Sequence, residues 1–180
     1  MIPFFDWFRT AVEPSKFWLL LGKGPSFARH KELAPLIDDY ATMGINHVAC
    51  AMKVFVTHVI DAVRAEEIPE LAGRTGALVM PWHPHVKWSP SKKTLADMVK
   101  ESRILADFDR QERLLWYDLS TWSGDPRGGF PVVQARFFSS EAAIGLLAAA
   151  GVKKIRTLGI DGGTGYAKDF AGMEHDMPNP

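Results

Sequence analysis

"FWLLLGKGPSFARH", Phe17 to His30, is an apolar run that stops at Gly22-Lys23-Gly24-Pro25-Ser26 and resumes as a polar segment with helical character. The run from Phe17 to Leu21 is too brief for a helix and, bounded by Pro14 and Gly22, fits a short buried strand. A strand that ends in a glycine-rich turn before a helix is a common way for α/β proteins to hold phosphate. The same residues also suit an ordinary strand-to-helix turn, so the rest of the chain has to decide.

Downstream, strand and helix patterns alternate. "FARHKELAPLIDDY" (Phe27–Tyr40) predicts a helix kinked at Pro35, and "ATMGIN" a second strand ending at Asn46. "VFVTHVID" (Val54–Asp61), rich in β-branched residues, predicts a third strand, and "AVRAEEIPELAG" a short helix closed by Gly73. "GALVMPW" predicts a fourth strand, and "PSKKTLADMVKESRILADFDRQ" a helix with apolar residues at near-helical spacing. "RLLWYDL" predicts another strand, followed by the loop "STWSGDPRGGFP". "SSEAAIGLLAAAG" predicts a helix capped by Ser139 or Ser140 and stopped at Gly151, before "KKIRTLGID" returns as a strand. Such alternation predicts a Rossmann-like three-layer α/β/α fold with a mostly parallel sheet. A single domain over residues 1–180 is expected, with an N-terminal aromatic arm (1–16) and a C-terminal tail (171–180).

Composition narrows the function classes. Of the 180 residues, 47% are hydrophobic and 23% charged, which excludes a disordered or fibrous chain. Lys+Arg and Asp+Glu both number 21, so the charge balance carries no bulk sign of a nucleic-acid partner. The single Cys50 excludes an internal disulfide framework and a cysteine-only zinc site. "MIPFFDWFRTAVEP" lacks the basic start and apolar core of a signal peptide, and no run has the roughly 18 apolar residues of a membrane span. A cytoplasmic protein is expected, with peripheral contact at the inner face of the membrane through Phe4, Phe5, Trp7 and Phe8 as the alternative to their packing in the core.

Ligands of parallel α/β sheets bind at the carboxyl ends of the strands. The chemically suggestive residues fall there: Gly22 to Ser26 after the first strand, Asn46 after the second and Asp61 after the third. His83 and His85 follow the fourth, and Asp161 to Gly163 the last. Asp61 suits a hydroxyl, a metal or the cap of the next helix. His83 and His85 have the alternate spacing of metal ligands or of a base with a neighbour, without a third ligand nearby in sequence. His58 reads as a core histidine, and "KKTLADMVKESR" as a solvated helix face. Trp82, Trp88, Trp116 and Trp122 suit either stacking on a ring or core packing.

"GKGPSF", "GINHV" and "SSEAAIGLLAAAGVKKIRTLGIDGG" together resemble the bacterial sialyltransferase-like group, whose members carry a GxGPS loop. Flagellin-modifying sugar transferases and an archaeal pterin diphosphokinase share a similar domain. The resemblance spans roughly residues 17 to 170 in three blocks and implies the fold more specifically than the reaction. It implies a glycosyltransferase moving a sugar from a nucleotide donor to a hydroxyl of a glycan or small-molecule acceptor. Gly22, Gly24, Pro25, Ser26, Asn46, Ser139, Ser140, Gly159, Asp161 and Gly162 would hold the donor, with Tyr166 over it. Phe170 shares a segment that is mobile in the family. Lys23 stands where the group often has asparagine, and it suits a diphosphate. The family's catalytic histidine lies beyond the last matched strand, where this chain offers His175, so His175, His85 and His83 are the candidate bases. No obligatory cofactor or metal is implied. Mg²⁺ held by carboxylates such as Asp61 and Asp161 enters only under an alternative, diphosphate transfer to a pterin-like alcohol. A non-catalytic nucleotide- or carbohydrate-binding domain is the third possibility.

Overall fold

In a computed structural model of the chain, the described residues are 1–13, 16–87, 89–120, 126–136, 138–163 and 165–173. β1 (Ile2–Pro3) leads into α1 (Phe4–Ala11), and β2 (Trp18–Leu21) ends at the glycine-rich turn. A 3-10 turn over Pro25–Arg29 precedes α2 (Ala34–Ile37), β3 (Ala41–Ile45), α3 (Val48–Ala51) and β4 (Val54–His58). Next come α4 (Ala62–Glu66), α5 (Leu71–Arg74), β5 (Thr75–Pro81) and an antiparallel ribbon of β6 (His85–Val86) and β7 (Ser89–Pro90). α6 (Leu95–Glu101), α7 (Arg103–Arg110), β8 (Leu114–Leu119), β9 (Val132–Val133), α8 (Ser139–Ala149) and β10 (Ile155–Leu158) complete the order.

The main sheet has eight strands in the order β1-β8-β5-β4-β3-β2-β10, with β9 beside β8, and every pairing is parallel. From β2 to β8 each successive strand is laid down on the same side of its predecessor. Right-handed crossovers therefore put α2 to α7 on one face. There Val48, Leu71, Leu95 and Leu105 bury against Leu19, Leu21 and Leu78. From β8 the chain must cross the whole sheet to reach β10 at the far edge, so α8 covers the opposite face. Its Ala142, Ala143, Leu146 and Leu147 share a core with Phe4, Phe8, Trp18, Met43 and Leu115. The result is a Rossmann-like three-layer α/β/α fold. Among the described residues no helix is long and apolar enough to cross a membrane.

The aromatic arm is part of that core. β1 pairs with β8, Phe4 and Phe5 are buried, and the Phe8 ring stacks 5.7 Å from Trp18. Trp7 lies 5.6 Å from Phe55. These side chains are spent on packing, which corrects the alternative of a membrane-docking arm.

Several predicted helices are shorter or divided. Phe27–Tyr40 becomes the 3-10 turn and α2, because Pro35 fits the first turn of a new helix and not the interior of an old one. "AVRAEEIPELAG" divides into α4 and α5 at Pro69 and Glu70, whose φ of 54° is left-handed. The long helix after Pro90 begins only at Leu95, under a capping box of Thr94 and Asp97. It breaks at Ser102, whose Oγ accepts the Leu105 N–H at 3.2 Å and so starts α7. The third strand stops at His58, and Asp61 caps α4 by accepting the Val63 N–H at 3.0 Å.

His58 is a core histidine, as expected. Its Nε2 lies 2.8 Å from the Tyr117 hydroxyl, and both residues are fully buried. Burial pushes the imidazole down to about 3 and the phenol above its usual range. Between about pH 3 and 6.5 the unfolded chain then binds a proton at this position that the folded chain does not.

Two outcomes follow from this packing. Phe4→Ala removes a fully buried ring and is expected to cost about 3–5 kcal/mol, lowering Tm by roughly 6–20 °C in thermal denaturation. A purely appended arm would leave Tm nearly unchanged. As pH falls below about 6.5, His58 withdraws up to ~1.4 kcal/mol of stability per pH unit, and His58→Gln flattens that slope in urea titrations between pH 6 and 4.

Candidate functional site

The turns after β2 and β10 are bolted together. The Gly22 N–H donates to Leu158 O at 2.8 Å and the Gly24 N–H to Gly159 O at 2.7 Å. Asp161 accepts the Ser26 N–H at 2.7 Å through Oδ2 and the Ser26 hydroxyl through Oδ1. The same Ser26 Oγ accepts the Gly159 N–H at 2.8 Å. Glycine is required at the crossing: a Cβ on Gly22 would strike the Gly159 carbonyl, and one on Gly24 would stand 2.5 Å from Asp161 Oδ2. These contacts correct the expected cradle. The N–H groups of Gly22, Gly24 and Ser26 are taken by the protein itself, and the carboxylate at the start of the 3-10 turn is that of Asp161. Gly162 and Gly163 are exposed, with positive φ angles of 71° and 84° and open space around them.

Lys23 takes a different course from its glycine neighbours. Its carbonyl accepts the Ala167 N–H at 2.8 Å, and its ammonium lies 4.3 Å from the Tyr166 ring centroid. Among the described residues no carboxylate stands within ion-pair distance of it. Burial, and then the positive charge of Arg64, bring its pKa down to about 8 against the pull of Glu67.

Beside Lys23 stand groups that follow the next two strands, β3 and β4. Asn46 follows β3 in the left-handed conformation, φ 51°, which asparagine tolerates, and its N–H donates to His58 O at 2.9 Å. His47 is buried, with Nε2 2.9 Å from Glu67 Oε2. Arg64 Nη1 grips the same carboxylate at 2.8 and 2.6 Å. Burial and the charge of Lys23 lower the His47 pKa more than Glu67 raises it. Burial alone would raise Glu67, but its bonds from Arg64 and His47 outweigh that and leave it low. At neutral pH a neutral imidazole thus donates to a charged carboxylate. The net result is a positive crest: the two cations Lys23 and Arg64 share the single carboxylate of Glu67, which is bonded to Arg64 and not to Lys23.

The other expected residues are more dispersed. Asp61 caps α4, and its short parallel bridge to His85 prolongs the contact of β4 and β5. His85 is half-buried, its pKa lowered by burial and raised by Asp61. His83 is buried and is lowered first by burial and then by the charge of Arg127. Both lie past β5, two strands away from β3. Among the described residues no group of three or more His, Cys, Asp or Glu could hold a metal ion. The two carboxylates named for Mg²⁺ under the alternative each accept a backbone N–H, Asp61 from Val63 and Asp161 from Ser26.

Ser139 and Ser140 open α8 on the opposite face, and neither is its cap. Phe138 takes that position, while Glu141 reaches back to accept the Arg136 N–H at 2.8 Å. Pro25 and Tyr166 line an open groove of about 640 Å³ with Lys31 and Lys168. Phe170, expected in a mobile segment, is buried 4.9 Å from the Phe27 ring. His175, Trp88 and Trp122 lie outside the described residues.

Ser26→Ala removes both bonds of the hydroxyl and is expected to destabilise the fold by about 1–3 kcal/mol. Gly24→Ala forces apart the same contact at a cost of about 1–3 kcal/mol. Chemical denaturation of the two variants checks whether the turns carry stability at their junction. Compared with family models, curated proteins and solved structures, the chain matches none.

Proposed function

We propose that this protein is a nucleotide-dependent transferase that moves a sugar to a hydroxyl acceptor, with the donor's phosphate received by Lys23. The observation that carries the proposal is a half-buried ammonium at the carboxyl edge of a parallel sheet, with no carboxylate within ion-pair distance among the described residues. Keeping a lysine charged there costs folding free energy, and an anionic ligand supplies the missing counter-charge. Arg64, held by Glu67, adds a second cation, and Asn46 offers an amide at the next strand end. The resemblance of "GKGPSF" and "GINHV" to the GxGPS transferases points to the same edge.

In the transfer, the acceptor oxygen bonds to the anomeric carbon as that carbon's bond to the phosphate oxygen breaks. The hydroxyl proton passes to a histidine, for which His83 and His85 stand on the same edge. Lys23 balances the charge that collects on the departing phosphate. Diphosphate transfer to a pterin-like alcohol is the weaker alternative, because its metal-binding carboxylates are engaged elsewhere. Activity abolished by EDTA would favour it, and donor hydrolysis by the chain alone would rule out a purely binding role.

The test is thermal denaturation with CMP, UDP, GDP and ATP, with and without Mg²⁺. A nucleotide at 100 times its Kd adds about 2.7 kcal/mol, a Tm rise of roughly 5–11 °C. Lys23→Met is expected to abolish that rise. It is also expected to raise the Tm of the unliganded protein at pH 7. The folded pKa of about 8 lies below the ordinary 10.5, so the cost of charging Lys23 grows as pH falls through that interval and is complete at pH 7. Nucleotide affinity should weaken as pH rises through about 8. A nucleotide response that survives Lys23→Met overturns the assignment.

A further inference from the structure

β5 and β8 are neighbours, but β5 hands the chain to α6 on one face and β8 hands it towards α8 on the other. Their carboxyl ends therefore form the topological switch point of the sheet, where such folds open a crevice. Aromatic residues gather there. Trp82 follows β5 and meets Trp116 of β8 edge-on, with ring centroids 5.2 Å apart. Trp116 meets Phe130 in the same manner at 6.0 Å. The Arg127 guanidinium lies 4.4 Å from the Trp82 centroid, and the Arg127 N–H is fixed by Asp118 Oδ2 at 2.6 Å.

Two features of this cluster are unfinished. Arg127 is exposed, and among the described residues no carboxylate pairs with its side chain. The Trp82 Nε1–H is buried without an acceptor among the described residues, the kind of orphan donor that folded proteins rarely keep. A guanidinium braced on an indole presents its N–H edge in a fixed plane, the geometry that a carboxylate or phosphate accepts in pairs. The flanking rings offer apolar faces to a sugar ring.

We infer that this strand-end cluster is a second binding site, for a sugar that carries an anionic group. The anion engages the N–H edge of Arg127 where it rests on Trp82, a sugar oxygen accepts the Trp82 indole N–H, and the ring lies against Trp116 and Phe130. The site stands on residues separate from Lys23. Its service as the acceptor side of the transfer, with buried His83 beside it, rests on the transferase assignment.

The experiment records indole N–H resonances of the ¹⁵N-labelled full chain, with the Trp82 and Trp116 signals assigned from Trp82→Phe and Trp116→Phe. Glucuronate, glucose 6-phosphate and glucose are each added to about 10 mM, ten times a Kd of about 1 mM. Both assigned signals are expected to move with at least one of the two anions, which identifies the anionic group, and not with glucose. Arg127→Gln should weaken the response about tenfold or more, and Lys23→Met should leave it intact. Silence with both anions, equal movement with glucose, or an undiminished response in Arg127→Gln overturns the site. A lost nucleotide response in Lys23→Met with this one preserved separates the two assignments.

Discussion

The carboxylate of Asp161 occupies the place where a phosphate was expected, and the organisation of the edge follows from that. By accepting the Ser26 N–H and hydroxyl, it joins the ends of β2 and β10 and fixes the turn between β2 and the 3-10 segment. The turn is thereby pinned through its main chain, and the side chain of Lys23 is presented on a rigid base. A glycine-rich turn that is free to bind an anion needs unsatisfied amides. Here the amides of Gly22, Gly24 and Ser26 are satisfied, so the anion-directed chemistry moves one side chain away, from backbone N–H to ammonium. The junction has its own steric logic too: Gly22 and Gly159 touch backbone to backbone, which keeps the two strand ends at one height.

Much of the architecture was legible in the sequence because each central strand is buried on both faces. Runs such as "WLLL" and "GALVMP" bounded by glycine or proline leave little alternative to a parallel strand. The helices were harder. Pro35, Pro69 and Ser102 each sit within continuous amphipathic patterns, and whether such a residue kinks a helix or starts a new one depends on the tertiary packing. Phe138 shows the same limit at α8: a serine preference for the cap lost to a glutamate that reached back from the first turn.

The positive crest was only partly legible. Lys23 and Asn46 declare themselves by following strands, a signal that parallel topology makes meaningful. Arg64 and Glu67 lie in "AVRAEE", which reads only as the start of a short helix, and His47 directly follows Asn46 with no pattern that ties it to either. Only the folded chain brings His47 and Arg64 to one carboxylate and both to Lys23. Arg127 lies in a loop defined by glycine and proline content, and nothing in that composition tells that its guanidinium would rest on Trp82.

Strand spacing ties the two ends of the edge together. Adjacent strands lie about 4.8 Å apart, so β4, whose following helix carries Arg64, is about 10 Å from β8 across β5. Asp61 and His85 occupy the intervening strand ends, and their short bridge keeps β4 and β5 side by side beyond the sheet proper. The order of groups along the edge is therefore cation, bridge, aromatic cluster. Lys23 and Arg127, neither of which has a carboxylate within ion-pair distance of its side chain among the described residues, place a cation at each end of that order.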